Sequence, residues 1–263
     1  MPPRRGSRFP RPLAPTGGLN PFSIHTQSVK KTGPNLPYRL VAGVTPFAGR
    51  WVVVTGRAGG SNFAVQHPLI FDTFADVLAE RPPYEKAVVN APVGYQARIG
   101  DPPRTCDVMA RNALGHRALT FAPAPPLSVL EWSEDYRNAR LGAAAASRLL
   151  AMREVMLNVP NYRQRTVFSG HPELSFMGLN QEQPMTFSKY SDEGIAERRA
   201  LLEKRIPYLA PAIDEADPSI PTPVVLDAIA LLWTARRVLA KAARRLPAEL
   251  EWDADGRRME WVF

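Results

Sequence analysis

Short apolar runs broken by turn residues open the patterned part of the chain, and helical spacing alternates with them afterwards. Residues 39–44 (RLVAGV) and 51–55 (WVVVT) are apolar and rich in β-branched side chains, and Pro46 and Gly49 between them predict a hairpin. Gly59-Gly60 then turns the chain into a third strand over 62–66. In 71–80 the apolar residues Phe71, Phe74, Ala75 and Leu78 recur at helical spacing. Residues 86–90 (KAVVN) are short, apolar and stopped by Ala91-Pro92, the pattern of a buried strand whose end opens onto a loop.

Helical signals dominate the second half. A helix is predicted over 107–114, with Gly115 as its stop, and a longer one over 134–158, rich in Ala, Leu and Met and closed by Pro160. A strand over 166–169 leads into the turn His171-Pro172-Glu173 and a short helix to Leu179. A charged helix over 193–204 is limited by Pro207. The helix over 223–241 has proline at its start, an apolar run through Ala235 and a basic end at Arg236, Arg237 and Lys241 that suits the helix dipole. Residues 250–252 and 258–262 flank Asp253-Ala254-Asp255-Gly256 as a terminal hairpin. Strands and helices in this order predict one α/β domain, and no internal repeat divides it.

Ahead of these elements, residues 1–38 are rich in Pro, Gly, Ser and Arg and show no apolar periodicity, so they predict an extended arm before a domain over 39–263. Charge sharpens that division. The net charge is +8, from 33 Lys and Arg against 25 Asp and Glu, yet no acid precedes Asp72. Arg4, Arg5, Arg8, Arg11, Lys30 and Lys31 of the arm are candidate contacts to nucleic-acid phosphates, where displaced counterions would give salt-dependent affinity. A solvated tail, or a segment that wraps a protein complex, accounts for the same composition. With 45% hydrophobic and 22% charged residues and no apolar run of membrane-spanning length, the composition is that of a globular chain with no membrane partner expected. A single cysteine, Cys106, excludes an internal disulfide framework and lacks companions at zinc-ligand spacing, so a reducing cytoplasm is the expected compartment. Oligomeric state is not encoded in any of these patterns.

A set of short blocks then carries a resemblance. Gly43-Val44, Gly49-Arg50-Trp51-Val52 and Ala91-Pro92-Val93-Gly94 are followed by Arg104-Thr105-Cys106-Asp107, Ala110-Arg111 and Leu114-Gly115. After these stand His171-Pro172-Glu173-Leu174-Ser175-Phe176, Leu179-Asn180, Ser188-Lys189, Gly194, Arg198-Arg199, Leu201-Leu202, Leu226-Asp227-Ala228 and Leu232-Trp233-Thr234-Ala235-Arg236-Arg237. In that order they resemble the predicted RNase H-like nucleases known as domain of unknown function 429. The resemblance implies an RNase H-like fold, with a mixed central sheet flanked by helices. It also implies phosphodiester hydrolysis by two divalent metals held by converging carboxylates.

Against that pattern the acids are mostly missing. Where the family would place acids after Gly43-Val44, before Ala91-Pro92, two residues before His171 and at the start of the last long helix, this chain has Thr45, Asn90, Ser169 and Pro223-Val224. The expectation is a degenerate catalytic site with no resident metal, in a protein that binds nucleic acid or a complex. An active nuclease using Mg²⁺ or Mn²⁺ with the residual acids is the alternative, and a structural subunit anchored by residues 1–38 is a third.

Four residual candidates carry the catalytic alternative: Asp107, His171, Glu173 and Asp227. Asp227 lies in an apolar helix and is read either as a remnant ligand or as the partner of an internal Arg or Lys. Asp107 reads as a cleft residue or as half of an i,i+4 ion pair with Arg111. His171 with Glu173 reads as an acid–base pair or as the turn that starts a helix. Lys189, Arg198 and Arg199 read as phosphate contacts or as a solvated helix face.

Overall fold

The computed structural model describes residues 38–59, 62–132 and 143–263. The six basic residues expected to contact phosphate, Arg4, Arg5, Arg8, Arg11, Lys30 and Lys31, lie outside the described residues.

The predicted hairpin is present and long. β1 (Arg39–Phe47) and β2 (Arg50–Gly59) pair antiparallel from Arg39 opposite Ala58 to Phe47 opposite Arg50. Ala48 and Gly49 join them, both at positive φ, as a two-residue hairpin whose twist matches its strands requires. β3 (Asn62–Val65) and β4 (Leu69–Phe71) both pair antiparallel to β2. The fourth strand occupies the place where the helix over 71–80 was expected to begin, because Phe71 pairs with Trp51. Helix α1 (Phe74–Ala79) starts only after Thr73, whose hydroxyl accepts the Asp76 N–H at 3.1 Å.

β5 (Lys86–Val89) then lies parallel to β1, and β6 (Val167–Ser169) parallel to β5, giving the order β3-β2-β1-β5-β6 with β4 beside β2. This is the mixed central sheet that the resemblance implied.

Strand periodicity decides what covers each face. Leu40, Ala42 and Val44 of β1 point to a core shared with α1 and with α4 (Ala143–Asn158). Val41, Gly43 and Thr45 point to the other face, which α8 (Thr222–Leu239) covers. Every residue of α8 from Val225 to Ala235 is buried, because the helix lies between the sheet and α5 (Pro172–Leu179), α6 (Asp192–Arg205) and α7 (Ala210–Asp214). That explains a helix apolar on all sides rather than on one stripe.

β7 (Arg245–Trp252) and β8 (Arg258–Val262) form the terminal hairpin, and a parallel bridge between Gly170 and Val262 ties it to the end of β6. On this hairpin packs α2 (Thr105–Leu114), through Cys106, Ala110 and Leu114 against Met259 and Trp261. α3 (Leu127–Trp132) and α4 enclose Tyr95.

Of the helix expected over 134–158, Ala143–Asn158 is present as α4, and 134–142 lie outside the described residues. Other expectations need correction. β7 begins at Arg245 rather than 250, across Pro247, where an irregular register between Leu246 and Glu251 hides the strand alternation. α3 and α7, of six and five residues, are short helices that were not anticipated. Among the described residues no helix is long and apolar enough to cross a membrane.

Candidate functional site

Parallel pairing brings the ends of β1 and β5 to the same edge of the sheet, with Val44 opposite Val89. The next residue on each strand is therefore Thr45 and Asn90, and the Asn90 amide donates to the Thr45 hydroxyl at 3.2 Å. Thr45 also faces the first turns of α8, where Val224 and Asp227 sit, while the start of α5 brings His171 and Glu173. All six line one cleft of about 760 Å³. Residues 45, 90, 171, 173, 224 and 227 thus converge although up to 182 positions separate them in the chain.

The two carboxylates at the floor of the cleft are already engaged by cations. Lys189 Nζ donates to Asp227 Oδ2 at 2.5 Å, the kind of internal lysine partner that one of the two readings of Asp227 expected. Burial works against the Lys189 ammonium, but the Asp227 carboxylate beside it outweighs that and holds it above its ordinary value. Burial likewise pushes the Asp227 carboxyl up, with Lys189 opposing. Glu173 Oε1 accepts from Arg198 Nη2 at 2.8 Å and has Arg117 Nη2 at 3.7 Å.

The arrangement that delivers these cations depends on α6. Ser191 caps it by accepting the Gly194 N–H at 3.2 Å. A side chain at Gly194 would collide with the Ser188 carbonyl, so glycine there lets the Ser188-Lys189 segment lie against the helix. Arg198 is fully buried and also donates to the Phe187 and Gly194 carbonyls, each at 3.1 Å. Of the three cations read as a solvated helix face, Arg198 is thereby corrected: it is a buried partner of Glu173. Arg199 is the surface member, paired with Glu203 and Asp214. Lys189 is on a turn, not a helix.

His171 begins α5. Its Nδ1 accepts the Glu173 N–H at 3.3 Å, Pro172 follows as the first helical residue, and the ring lies against Phe121 and Trp261. His171 and Glu173 therefore meet through the Glu173 backbone, as a helix-starting turn. Burial, together with Lys189 and Arg148, depresses the imidazole to about 3, so it is neutral with its proton on Nε2.

A folded value below the ordinary one of about 6.5 means that protonation favours the unfolded chain, so this contribution is complete above pH 6.5 and is lost as pH falls toward 3. Replacing His171 by Asn keeps a capping acceptor and removes the titration. Between pH 7 and 5 the native protein should lose on the order of 1–2 kcal/mol more stability than His171→Asn, as read from urea midpoints. Equal losses would mean that the imidazole is free to protonate.

Two expected members stand apart. Asp107 is buried and does not line the cleft. Its carboxylate accepts from Arg104 Nη2 at 2.5 Å and Nε at 3.0 Å, from Trp261 Nε1 at 2.7 Å and from the Ala124 N–H at 3.0 Å. The expected pair with Arg111 is not formed. Arg111 is exposed, whereas Arg104, at i−3, is buried with Asp107. Burial acts to raise the Asp107 carboxyl, but Arg104 and the other donors prevail and hold it below its usual range. Ser169 is buried at the end of β6 and accepts the Val93 N–H at 3.0 Å, so it shapes the loop after β5 and is not part of the cleft lining.

The cleft also contains residues that sequence reasoning missed. Arg117 comes from a 3-10 turn, Gly115–Thr120, and Arg148 from the middle of α4. Arg148 donates to the Ala122 and Pro123 carbonyls at 3.3 and 3.1 Å, and burial lowers its guanidinium somewhat. Tyr190, largely exposed, stacks under Lys189. Neither arginine sits in a motif or at a helical spacing that connects it to the acids. Only tertiary packing brings them there.

A family model described as "Protein of unknown function (DUF429)" matches residues 43–251. No curated protein matches the chain. Among solved structures, "Thermus thermophilus RuvC structure" is similar over 77% of this chain and 97% of that one, at 14% identity and a TM-score of 0.34.

Proposed function

The chain belongs to the family described as domain of unknown function 429, and from that premise we propose a catalytically degenerate RNase H-like protein whose cleft holds a nucleic-acid strand without cutting it. One observation carries the reading: the acids left in the cleft are neutralised from within the protein, Asp227 by Lys189 at 2.5 Å and Glu173 by Arg198 at 2.8 Å.

Two divalent metals do not fit this donor set. Mg²⁺ sheds its water reluctantly and needs several anionic oxygens in one place. Here Thr45 and Asn90 are neutral and bonded to each other, and a metal would have to displace an ammonium and approach a guanidinium to reach Asp227 and Glu173. Among the described residues no three His, Cys, Asp or Glu side chains cluster as metal ligands. The cleft instead offers Arg117, Arg148 and Lys189 against two acids, with Arg198 behind, a positive surplus suited to phosphate.

Incubating the full chain with single- and double-stranded DNA, RNA and hybrids in Mg²⁺ or Mn²⁺ should give no cleavage above background. Binding, read by fluorescence anisotropy, should weaken steeply with salt, and Arg148→Ala should reduce the salt slope by about 1. Sustained metal-dependent cleavage that disappears in Asp227→Ala would sink the proposal in favour of an active nuclease.

A further inference from the structure

We propose that the C-terminal ends of α6 and α8 together form a docking surface for an acidic segment of a partner protein. This surface is separate from the cleft, and the inference does not rest on the strand-binding reading.

The two helices run side by side in one direction. Lys189, just before α6, meets Asp227 in the first turns of α8. At the other ends Arg237 is held below its ordinary value, first by burial and then by the charge of Arg205, so these two cations are neighbours. From Asp227 to Arg237 the helix rises about 15 Å, which sets this end apart from the cleft. Each helix ends in basic residues, Lys204 and Arg205 on α6 and Arg236 and Arg237 on α8, and Lys241 follows shortly after α8. A helix C-terminus favours cations, which accounts for each pair on its own helix. It does not account for bringing both pairs to one place with no acid between them. Among the described residues none of these five cations is in an ion pair, while Arg199 takes Glu203 and Asp214 and Arg244 takes Glu182.

What holds these cations narrows the partner. The Arg236 guanidinium lies 4.6 Å from the Phe63 ring centre and that of Arg237 4.5 Å from the Trp233 ring centre. An aromatic face fixes a guanidinium while leaving its N–H edge for a planar anion, and a carboxylate matches that edge with two parallel hydrogen bonds. Arg237 spends one donor internally, on the Ala242 carbonyl at 2.7 Å. A phosphate backbone is a poorer match for the place as a whole. Phosphate favours helix N-termini, whereas α6 and α8 both present their negative ends here and offset part of the field that would draw a polyanion. Tyr208, 96% exposed and three residues past Arg205, adds an aromatic contact at the rim. Arginine and tyrosine are among the residue types that dominate protein interfaces. The matching partner is a stretch of Asp or Glu with an apolar residue to cover Tyr208.

The test titrates the full chain, by anisotropy at low salt, against a fluorescein-labelled dodecapeptide of Glu, Gly and Leu and against its Gln-for-Glu counterpart. The acidic peptide should bind and the neutral one should not. Reversing both charges, Arg205→Glu with Arg237→Glu, should weaken the acidic peptide about tenfold, the sum of two ion pairs turned to repulsion. Arg205→Glu alone, on an exposed side chain, should cost about threefold and keeps the test valid if the double variant folds poorly. Arg236→Lys with Arg237→Lys preserves the charge but not the planar edge, so peptide affinity should fall severalfold while oligonucleotide affinity holds. Peptide binding that is absent in the native chain, or unchanged in the reversal variants, would overturn the inference. Loss of oligonucleotide rather than peptide affinity in the lysine variant would give the surface to nucleic acid and overturn it. Self-association by sedimentation that disappears in Arg205→Glu, with no peptide bound, would give it to a second copy and overturn it equally. A native chain that binds the peptide but no oligonucleotide would sink the strand-binding reading and leave this one standing.

Discussion

Asp107→Ala is expected to cost about 3–5 kcal/mol of stability, the usual consequence of removing one partner from a buried ion pair. The loss comes from what remains. Arg104 is 2% exposed and would keep only the Gly94 carbonyl, at 2.5 Å, while Trp261 Nε1 and the Ala124 N–H would lose their acceptor. Against a total stability of about 5–15 kcal/mol that is about a fifth of the margin or more. Urea unfolding followed by tryptophan fluorescence reads it directly, because Trp261 is in the affected cluster. The pH dependence has a definite sign. The folded carboxyl is held below its ordinary value of about 4, so its stabilisation is present above that value and fades as pH falls through the lower folded one. A catalytic Asp107 would behave oppositely, with activity lost and the unfolding midpoint preserved. Unchanged stability in Asp107→Ala would refute a structural role for this carboxylate.

Most of the sheet was readable in the sequence because β1, β2, β3, β5 and β6 announce themselves locally, whereas β4 does not. KAVVN has an apolar centre and ends at Ala91-Pro92, and Ala87, Val88 and Val89 of its β5 are indeed buried between layers. RLVAGV and WVVVT needed only the turn between them. Signals failed where a neighbour overrode the local pattern. Phe71 has helical spacing to Phe74 and Leu78 but pairs with Trp51 across the sheet edge, and Pro247 breaks the alternation of β7 without ending it.

The site was legible in a different way. The positions Thr45, Asn90, Val224 and Asp227 came from the order of sequence blocks, and the cleft gathers all four. Ser169 did not follow, since at the end of β6 its hydroxyl turns to the Val93 N–H. The cations could not be read at all. A sequence shows that Asp227 needs a partner in an apolar helix, but Lys189 is 38 residues away on a turn. Similarly, Glu173 draws on Arg198, 25 residues on, and on Arg117, before it in the chain. Asp107 shows how spacing misleads: both Arg104 and Arg111 lie within one helical turn of it, and only burial decides between them.

Gly43→Ala should be as damaging as the loss of Asp107, at about 3 kcal/mol or more, and for a reason that joins the fold to the site. A Cβ on Gly43 would overlap the Ala228 carbonyl oxygen and the Leu232 amide nitrogen and come within 2.9 Å of the Leu231 carbonyl carbon. All three are backbone atoms of α8, and α8 is packed on its other sides by α5, α6 and α7, so the clash cannot be relieved by turning a side chain. The helix would have to move off β1. Thr45 lies two residues along the same face of that strand, opposite the turns that carry Val224 and Asp227, so the same displacement would widen the floor of the cleft. At roughly 2–4 °C per kcal/mol for a domain of this size, the melting temperature should fall by about 6–12 °C, with oligonucleotide affinity falling in parallel. Gly49→Ala provides the matched control. Its φ is +77°, nothing lies near its missing Cβ, and the expected cost is only the 1–2 kcal/mol or so of left-handed backbone, with the cleft intact. Should the two variants melt together, close approach of β1 to α8 is not what places Thr45 beside Asp227.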